Sequence, residues 1–177
     1  TRALRQVGQH GVRGTLVQTF TEAGFQTAWL SNQEPTPMSR AADVVEHSRH
    51  DVDFHFRKDT DLLPLFESFV RQGRPRQFVL LHMMGSHGPA YFKRSRAPHK
   101  PFQPECTQTS LSQCRRDEIV NAYDNTLVFT DHFLAQTLQW LQRHGLSSIR
   151  AILFGVCKHF FVWRRLDRGR QLTLFST

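Results

Sequence analysis

A histidine set between glycines at the end of an apolar run is the first feature of this sequence suited to chemistry. Leu80-Leu81-His82-Met83-Met84 leads straight into Gly85-Ser86-His87-Gly88-Pro89-Ala90-Tyr91-Phe92. In open α/β sheets, ligands bind outside the carboxyl ends of strands. Glycines on both sides of Ser86-His87 let the backbone turn sharply and approach a ligand closely. An imidazole placed there suits a metal ion or a phosphate; the plainer reading is a loop histidine packed on Tyr91. Cys106 and Cys114 form a second group, in a polar loop ahead of a helix. Their spacing is compatible with a short cystine loop, with two free thiols, or with half of a metal site. His47, His50, Asp51, Asp53 and His55 make a third group. On a strand, alternate residues stand roughly 6.5–7 Å apart, too wide for easy chelation of one ion, so a solvated strand face is expected. Asp124 and Asp131, with Asn121 and Asn125, are expected to anchor neighbouring loops rather than to act as acid and base.

These groups need a frame, and the pattern supplies one. Leu16, Phe20 and Ala23 fall on one face of a helix over Arg13–Phe25, with Gly24 as its stop. A strand over Phe25–Leu30 ends in Asn32-Gln33. Val52, Phe54 and Phe56 alternate with polar residues, as in a half-buried strand. A helix over Leu62–Gln72 is stopped by Gly73 and Pro75, and Phe78–Met84 reads as a strand covered on both faces. After a proline-rich loop, Arg116–His144 forms the longest helix, with Ile119, Tyr123, Leu127, Leu134, Leu138 and Leu141 as its apolar face. Ile149–Phe154 is a third core strand. Alternating helices and strands predict an α/β fold with a largely parallel sheet.

Composition narrows the function classes. With 177 residues, 39% apolar and 21% charged, the chain has the make-up of one globular domain or a large piece of one. No apolar run approaches the roughly 18–20 residues that span a bilayer, and no signal peptide precedes the first helix. The net charge is +8, but five of those charges lie in the last 33 residues. No zinc-finger spacing, RNA-binding aromatic signature or basic helix accompanies them, so nucleic acid is not an expected partner.

Several words in fixed order resemble one family. They are Met84-Gly85-Ser86-His87-Gly88-Pro89-Ala90-Tyr91-Phe92-Lys93-Arg94, Phe102-Gln103-Pro104-Glu105-Cys106 with Cys114, Asn121-Ala122-Tyr123-Asp124-Asn125-Thr126, and Thr130-Asp131. Together they resemble the lipid A phosphoethanolamine transferases, which include the mobile colistin-resistance enzymes, in the sulfatase-like branch of the alkaline phosphatase superfamily. The match is specific from about Phe78 to Leu141 and extends more thinly back to Leu16, where Ala28-Trp29-Leu30-Ser31-Asn32-Gln33 is similar to the family's strand-end segment.

The resemblance implies a partial alkaline-phosphatase/sulfatase-like three-layer sandwich and an inner-membrane parent with a periplasmic catalytic domain. It implies zinc-dependent transfer of phosphoethanolamine from phosphatidylethanolamine to a lipid A phosphate, through a threonine nucleophile. His87 matches the family histidine that contacts the substrate phosphate or a second zinc, Asn32 and Gln33 match a substrate-contacting stretch, and Cys106–Cys114 matches a family disulfide. Lys93 and Arg94 are either head-group contacts or solvated loop charges. A monomer is expected. A sulfatase or phosphodiesterase of the same superfamily and a non-catalytic lipopolysaccharide-binding remnant are the alternative readings.

Two family parts have no counterpart. The nucleophilic Thr segment lies upstream of the first helix in the family; Thr109-Ser110-Leu111-Ser112 resembles it but falls on the wrong side of His87. The family's strand after the long helix enters Ser-Asp-His-Gly-Glu, whose Asp and His hold zinc, whereas Ile152-Leu153-Phe154 continues here as Gly155-Val156-Cys157-Lys158-His159. The expectation is an internal piece of a transferase, residues 1–154, followed by a basic, non-family tail, 155–177, of the kind a shifted reading frame would produce. Such a chain is expected neither to transfer phosphoethanolamine nor to retain zinc.

Overall fold

The computed structural model describes residues 14–48, 57–72 and 74–145, and the backbone of 149–156, 159–166 and 169–176. Its elements run α1 (Leu16–Glu22), β1 (Gln26–Ser31), β2 (Val44–His47), α2 (Leu63–Val70), β3 (Gln77–Met83), α3 (Arg116–Arg143), β4 (Ile149–Val156), β5 (His159–Leu166) and β6 (Gly169–Ser176). They form one six-stranded sheet in the order β2-β1-β3-β4-β5-β6. The pairings from β2 through β4 are parallel, and β5 and β6 extend the sheet antiparallel.

Local chemistry explains the elements. Thr15 caps α1, its hydroxyl accepting from the Gln18 amide at 3.1 Å. Gly24, at φ +78°, ends the helix by letting the Phe25 amide reach back to the Phe20 carbonyl at 3.0 Å. That reversal makes α1 shorter than the expected 13–25 span. A 3-10 turn over Asp59–Leu62 precedes α2, and Pro64 in the helix's first turn needs no partner for its missing N–H. α3 opens on a capping box in which the Arg115 amide donates to Glu118 Oε2 at 2.9 Å.

Period-two alternation divides the core into two layers around the sheet. Ala28 and Leu30 of β1, with Val79, Leu81 and Met83 of β3, meet Leu62, Phe66, Phe69 and Val70 and the α3 residues Phe133, Leu134, Trp140 and Leu141. On the other face Trp29, Phe78 and Leu80 pack with Val17, and Phe20 stacks on Phe78 at 4.1 Å. Helices therefore cover both faces, and β1 and β3 read as continuous apolar runs because neither side of them is wet.

Three expectations need correction or placement. The first half of α3 does not bury the face built on Ile119, Tyr123 and Leu127: Tyr123 is 39% and Leu127 46% exposed, whereas Ala122, Asn125, Thr126 and Phe129 are buried. That half of the helix faces a polar loop, so two of its inner residues, Asn125 and Thr126, are hydrogen-bonding ones. β2 lies in a segment too polar to read as a strand. The expected strand around Val52–Phe56, with His50, Asp51, Asp53 and His55, lies outside the described residues. No helix among the described residues is long and apolar enough to cross a membrane.

Candidate functional site

The site is built at the carboxyl end of β3. Beyond Met83 the chain turns at Gly85, whose φ of +49° belongs to the left-handed region. The turn closes where the His87 amide donates to the Met84 carbonyl at 3.1 Å. The hydroxyls of Ser86 and Thr126 of α3 lie 2.6 Å apart. Arg94 Nε donates to the His87 carbonyl at 3.0 Å. The His87 side chain is exposed, and its Nδ1 sits 2.7 Å from the Gly88 carbonyl. A carbonyl can only accept, so Nδ1 carries a proton, and Nε2 is the ring nitrogen left for a ligand. A side chain on Gly88 would begin 2.8 Å from the Tyr91 hydroxyl, and Tyr91 meets Tyr123 edge-on at 5.6 Å.

Asn32 and Gln33 stand at the neighbouring end of β1, but their side chains are committed to the fold. Asn32 is fully buried; its amide nitrogen donates to the His82 carbonyl at 3.2 Å and its Nδ2 to Asp59 Oδ1 at 2.9 Å. Gln33 Nε2 donates to the Met83 carbonyl, and its backbone amide donates to Ser31 Oγ at 3.0 Å. In this structure Asn32 is a buried brace whose Oδ1 has no hydrogen-bond partner, and Gln33 clips β1 to β3 beside the turn. The residue that joins these pieces is Asp59. Its Oδ1 accepts from the Met84 amide at 3.0 Å, and Oδ2 accepts from the Gly85 amide at 3.1 Å. Sequence reasoning missed it because Lys58-Asp59-Thr60-Asp61 reads as a helix start in which either aspartate could be the capping one.

Ser31 and His82 are register partners on adjacent strands, with Ser31 Oγ 3.0 Å from His82 Nδ1. Burial first, and then the nearby His47, depress His82 from the ordinary value to about 4. The imidazole is therefore neutral when folded but takes a proton near 6.5 once unfolded. Its contribution is fully present above about pH 6.5 and is lost as pH falls toward 4. A series of thermal melts from pH 7.5 to 4 should show this loss, and His82→Asn should flatten it; an unchanged slope in the variant would contradict the assignment.

Beyond the turn, the 85–114 loop is tied to α3 along its length. Asn125 accepts from the Phe102 amide at 3.0 Å and donates to the Phe102 carbonyl at 2.9 Å. Asn121 Nδ2 donates to the Pro104 carbonyl at 2.8 Å, and the Cys106 amide to the Glu118 carbonyl at 2.9 Å. The anchoring role expected of the two asparagines is what the structure shows. Cys106 and Cys114 form a disulfide. Arg94 is only 4% exposed, so it is not a solvated loop charge. Lys58 Nζ donates to the Lys93 carbonyl, and Lys100 Nζ to the Phe92 carbonyl at 2.8 Å. Burial first, and then the charges of Arg94, Lys100 and Arg96, hold Lys58 down to about 8.

A protein zinc site requires several converging nitrogen, sulfur or oxygen ligands. Among the described residues no group of three His, Cys, Asp or Glu could hold a metal ion. Cys106 and Cys114 are joined to each other, and Asp59 is occupied by amides. The described residues do not fit a zinc ion, so His87 stands here as one imidazole without companion ligands.

Comparison with known proteins agrees with this geometry. Residues 4–154 match the sulfatase family model. The chain is 31% identical over 151 residues to phosphatidylethanolamine transferase Mcr-1 of Escherichia coli, a match that covers 78% of this chain and 28% of that protein. The C-terminal periplasmic domain of phosphoethanolamine transferase EptC from Campylobacter jejuni superposes with a TM-score of 0.65 at 27% identity, over 76% of this chain and 42% of that one. The corresponding EptC domain of Escherichia coli, solved in complex with Zn, shares the fold with a TM-score of 0.62 at 20% identity, over 79% of this chain and 41% of that one. The chain thus spans little more than a quarter of the length of Mcr-1. With the family model matched from residue 4 to 154, the chain belongs to the sulfatase family, and the relatives and solved structures it resembles are phosphoethanolamine transferases.

Proposed function

We propose that this chain is the part of a phosphoethanolamine transferase that presents His87 to the phosphate of the transferred group. The parent activity is transfer of phosphoethanolamine from phosphatidylethanolamine to a lipid A phosphate, with zinc as cofactor, in an inner-membrane protein whose catalytic domain is periplasmic. One observation carries the reading: His87 is exposed at the carboxyl end of β3, with Nδ1 engaged by Gly88 and Nε2 left over. The Arg94 side chain fixes the backbone of that histidine, and the cationic Arg94 and Arg96 close to Lys58 favour an anionic ligand. The Cys106–Cys114 disulfide supports an oxidising compartment such as the periplasm.

The residues described supply binding and orientation rather than a complete reaction centre. Zinc, when bound in the parent, supplies a Lewis acid for the developing phosphoryl charge. The 177-residue chain alone is expected to bind phosphoethanolamine without transferring it. Residues 155–177 are proposed to lie outside the family domain, since the family match ends at 154 while β5 and β6 continue the sheet antiparallel.

Two assays test this. Nuclear magnetic resonance titrations with phosphoethanolamine and with an aryl sulfate should show selective perturbation around His87 by the phosphate compound; preference for the sulfate would favour a sulfatase instead. Mass spectrometry of lipid A incubated with the chain and phosphatidylethanolamine should show no added phosphoethanolamine. An added group would overturn the inactive reading.

A further inference from the structure

Asp59 is 3% exposed, and every hydrogen bond its carboxylate makes points away from its own element. Cap duty in the Asp59–Leu62 turn belongs to Asp61, whose Oδ2 accepts from the Lys58 amide at 2.9 Å. Asp59 is left to accept from Asn32 Nδ2 at 2.9 Å, from the Met84 amide at 3.0 Å and from the Gly85 amide at 3.1 Å. Three N–H donors on a buried carboxylate are charge-assisted bonds, stronger than neutral ones and costly to leave unmade. Burial raises the Asp59 carboxyl above the ordinary carboxylate range, and Asn32, the Gly85 and Met84 amides and the charge of Arg94 offset only part of that rise.

The bonds fall on two separate strands. Asn32 closes β1, and Met84-Gly85 opens the turn after β3. The next amide interaction along that turn is His87 to Met84, and His87 in turn accepts from Arg94 through its carbonyl. Fixing Met84 and Gly85 therefore fixes where the His87 ring emerges, because two residues and one closed hydrogen-bonded ring separate them. With both amides taken by the carboxylate, the outer side of the turn presents the imidazole, not a backbone anion hole, to a ligand.

We propose that Asp59 is the positioning residue of the His87 site: its carboxylate locks the ends of β1 and β3 together and aims the imidazole at an incoming phosphate monoester or diester. This assignment rests on the reading of His87 as the phosphate-facing group. It is separate from that reading in its test, because the conformation of the turn can be followed without any ligand.

The experiment compares the 177-residue chain with Asp59→Asn and with Val17→Ala, a buried change on the opposite face of the sheet. Amide hydrogen exchange at Met84 and Gly85, the ring nitrogen shifts of His87, and titration with phosphoethanolamine and with inorganic phosphate are measured for each. Asp59→Asn turns an acceptor into a partial donor facing two N–H groups. It should speed exchange at Met84 and Gly85, move the His87 ring signals and weaken phosphoethanolamine binding about tenfold, the size of one charged hydrogen bond. Val17→Ala should lower the melting temperature and leave all three readouts in place. Unchanged exchange and unchanged His87 signals in Asp59→Asn would overturn the proposal, as would equal losses in Val17→Ala. If the parent chain binds inorganic phosphate as well as phosphoethanolamine, the shared phosphate is what the imidazole meets; if it binds neither, the His87 reading fails while the exchange and ring signals still decide the role of Asp59. Should Asp59→Asn not fold, hydrogen-bond couplings from the Met84 and Gly85 nitrogens to the Asp59 carboxyl carbon in the unmodified chain take its place, and their absence would refute the lock.

Discussion

Phe66→Ala is expected to cost about 3–5 kcal/mol, the range for emptying a fully buried aromatic site. Phe66 is 0% exposed and meets Trp140 of α3 edge-on at 5.6 Å, so it is the contact through which α2 and α3 share the layer beneath β1 and β3. Alanine would leave a cavity beside Trp140, which cannot close without moving α3. For a chain of this length each kcal/mol is roughly 2–4 °C, so the melting temperature should fall by about 10 °C. Chemical denaturation with tryptophan fluorescence reads the effect directly. A loss below about 1.5 kcal/mol would show that α2 and α3 do not share one rigid core.

Removing the disulfide should come second. The Cys106–Cys114 bridge spans eight positions, and closing so short a loop restricts the unfolded chain by about 2–3 kcal/mol. Cys106→Ser with Cys114→Ser, or reduction of the unmodified chain, should lower stability by that amount. The folded loop itself has other anchors: Asn125 on Phe102, Asn121 on Pro104, and the Lys100–Glu105 ion pair at 2.5 Å. The His87 environment should therefore survive the change. An equal stability of the oxidised and reduced forms, measured by denaturant titration, would contradict this account.

The parts of the molecule that the sequence made legible are those in which one periodicity dominates. The apolar run at Phe78–Met84 found β3 to within one residue, and the Arg116–His144 pattern found α3 to within one. Both elements are long, and their residue types agree with their burial. The glycine-flanked histidine found the turn, because a strand end followed by Gly-x-His-Gly has few ways to continue. β2 escaped notice because it lies at the sheet edge, where Val45 is 41% exposed and polar residues suffice. The inner face of α3 was misread for the complementary reason. Its first turns meet backbone carbonyls and Ser86 rather than side chains of the core, so Asn125 and Thr126 point inward while Tyr123 and Leu127 do not. Asp59 was illegible because its partners are 25 to 27 residues away along the chain, and two aspartates in one short turn look alike until distances separate them.

Within the candidate site, residue type marks His87 and Asn32 alike as ligand candidates, but the structure exposes only the first. An asparagine at a strand end suits a ligand contact as well as it suits a buried brace. Only the carboxylate of Asp59 beside it decides between the two.

The central claim is that the free Nε2 of His87 faces a phosphate. Histidine-selective nitrogen resonance spectra of the 177-residue chain, recorded while phosphoethanolamine is added, test it most directly. The account predicts that the Nε2 signal of His87 moves with saturation while its Nδ1 signal, tied to Gly88, and the signals of His82 and His144 stay in place, and that His87→Gln abolishes the binding. A His87 signal that does not move while the ligand binds elsewhere, or binding that survives His87→Gln unchanged, would contradict it.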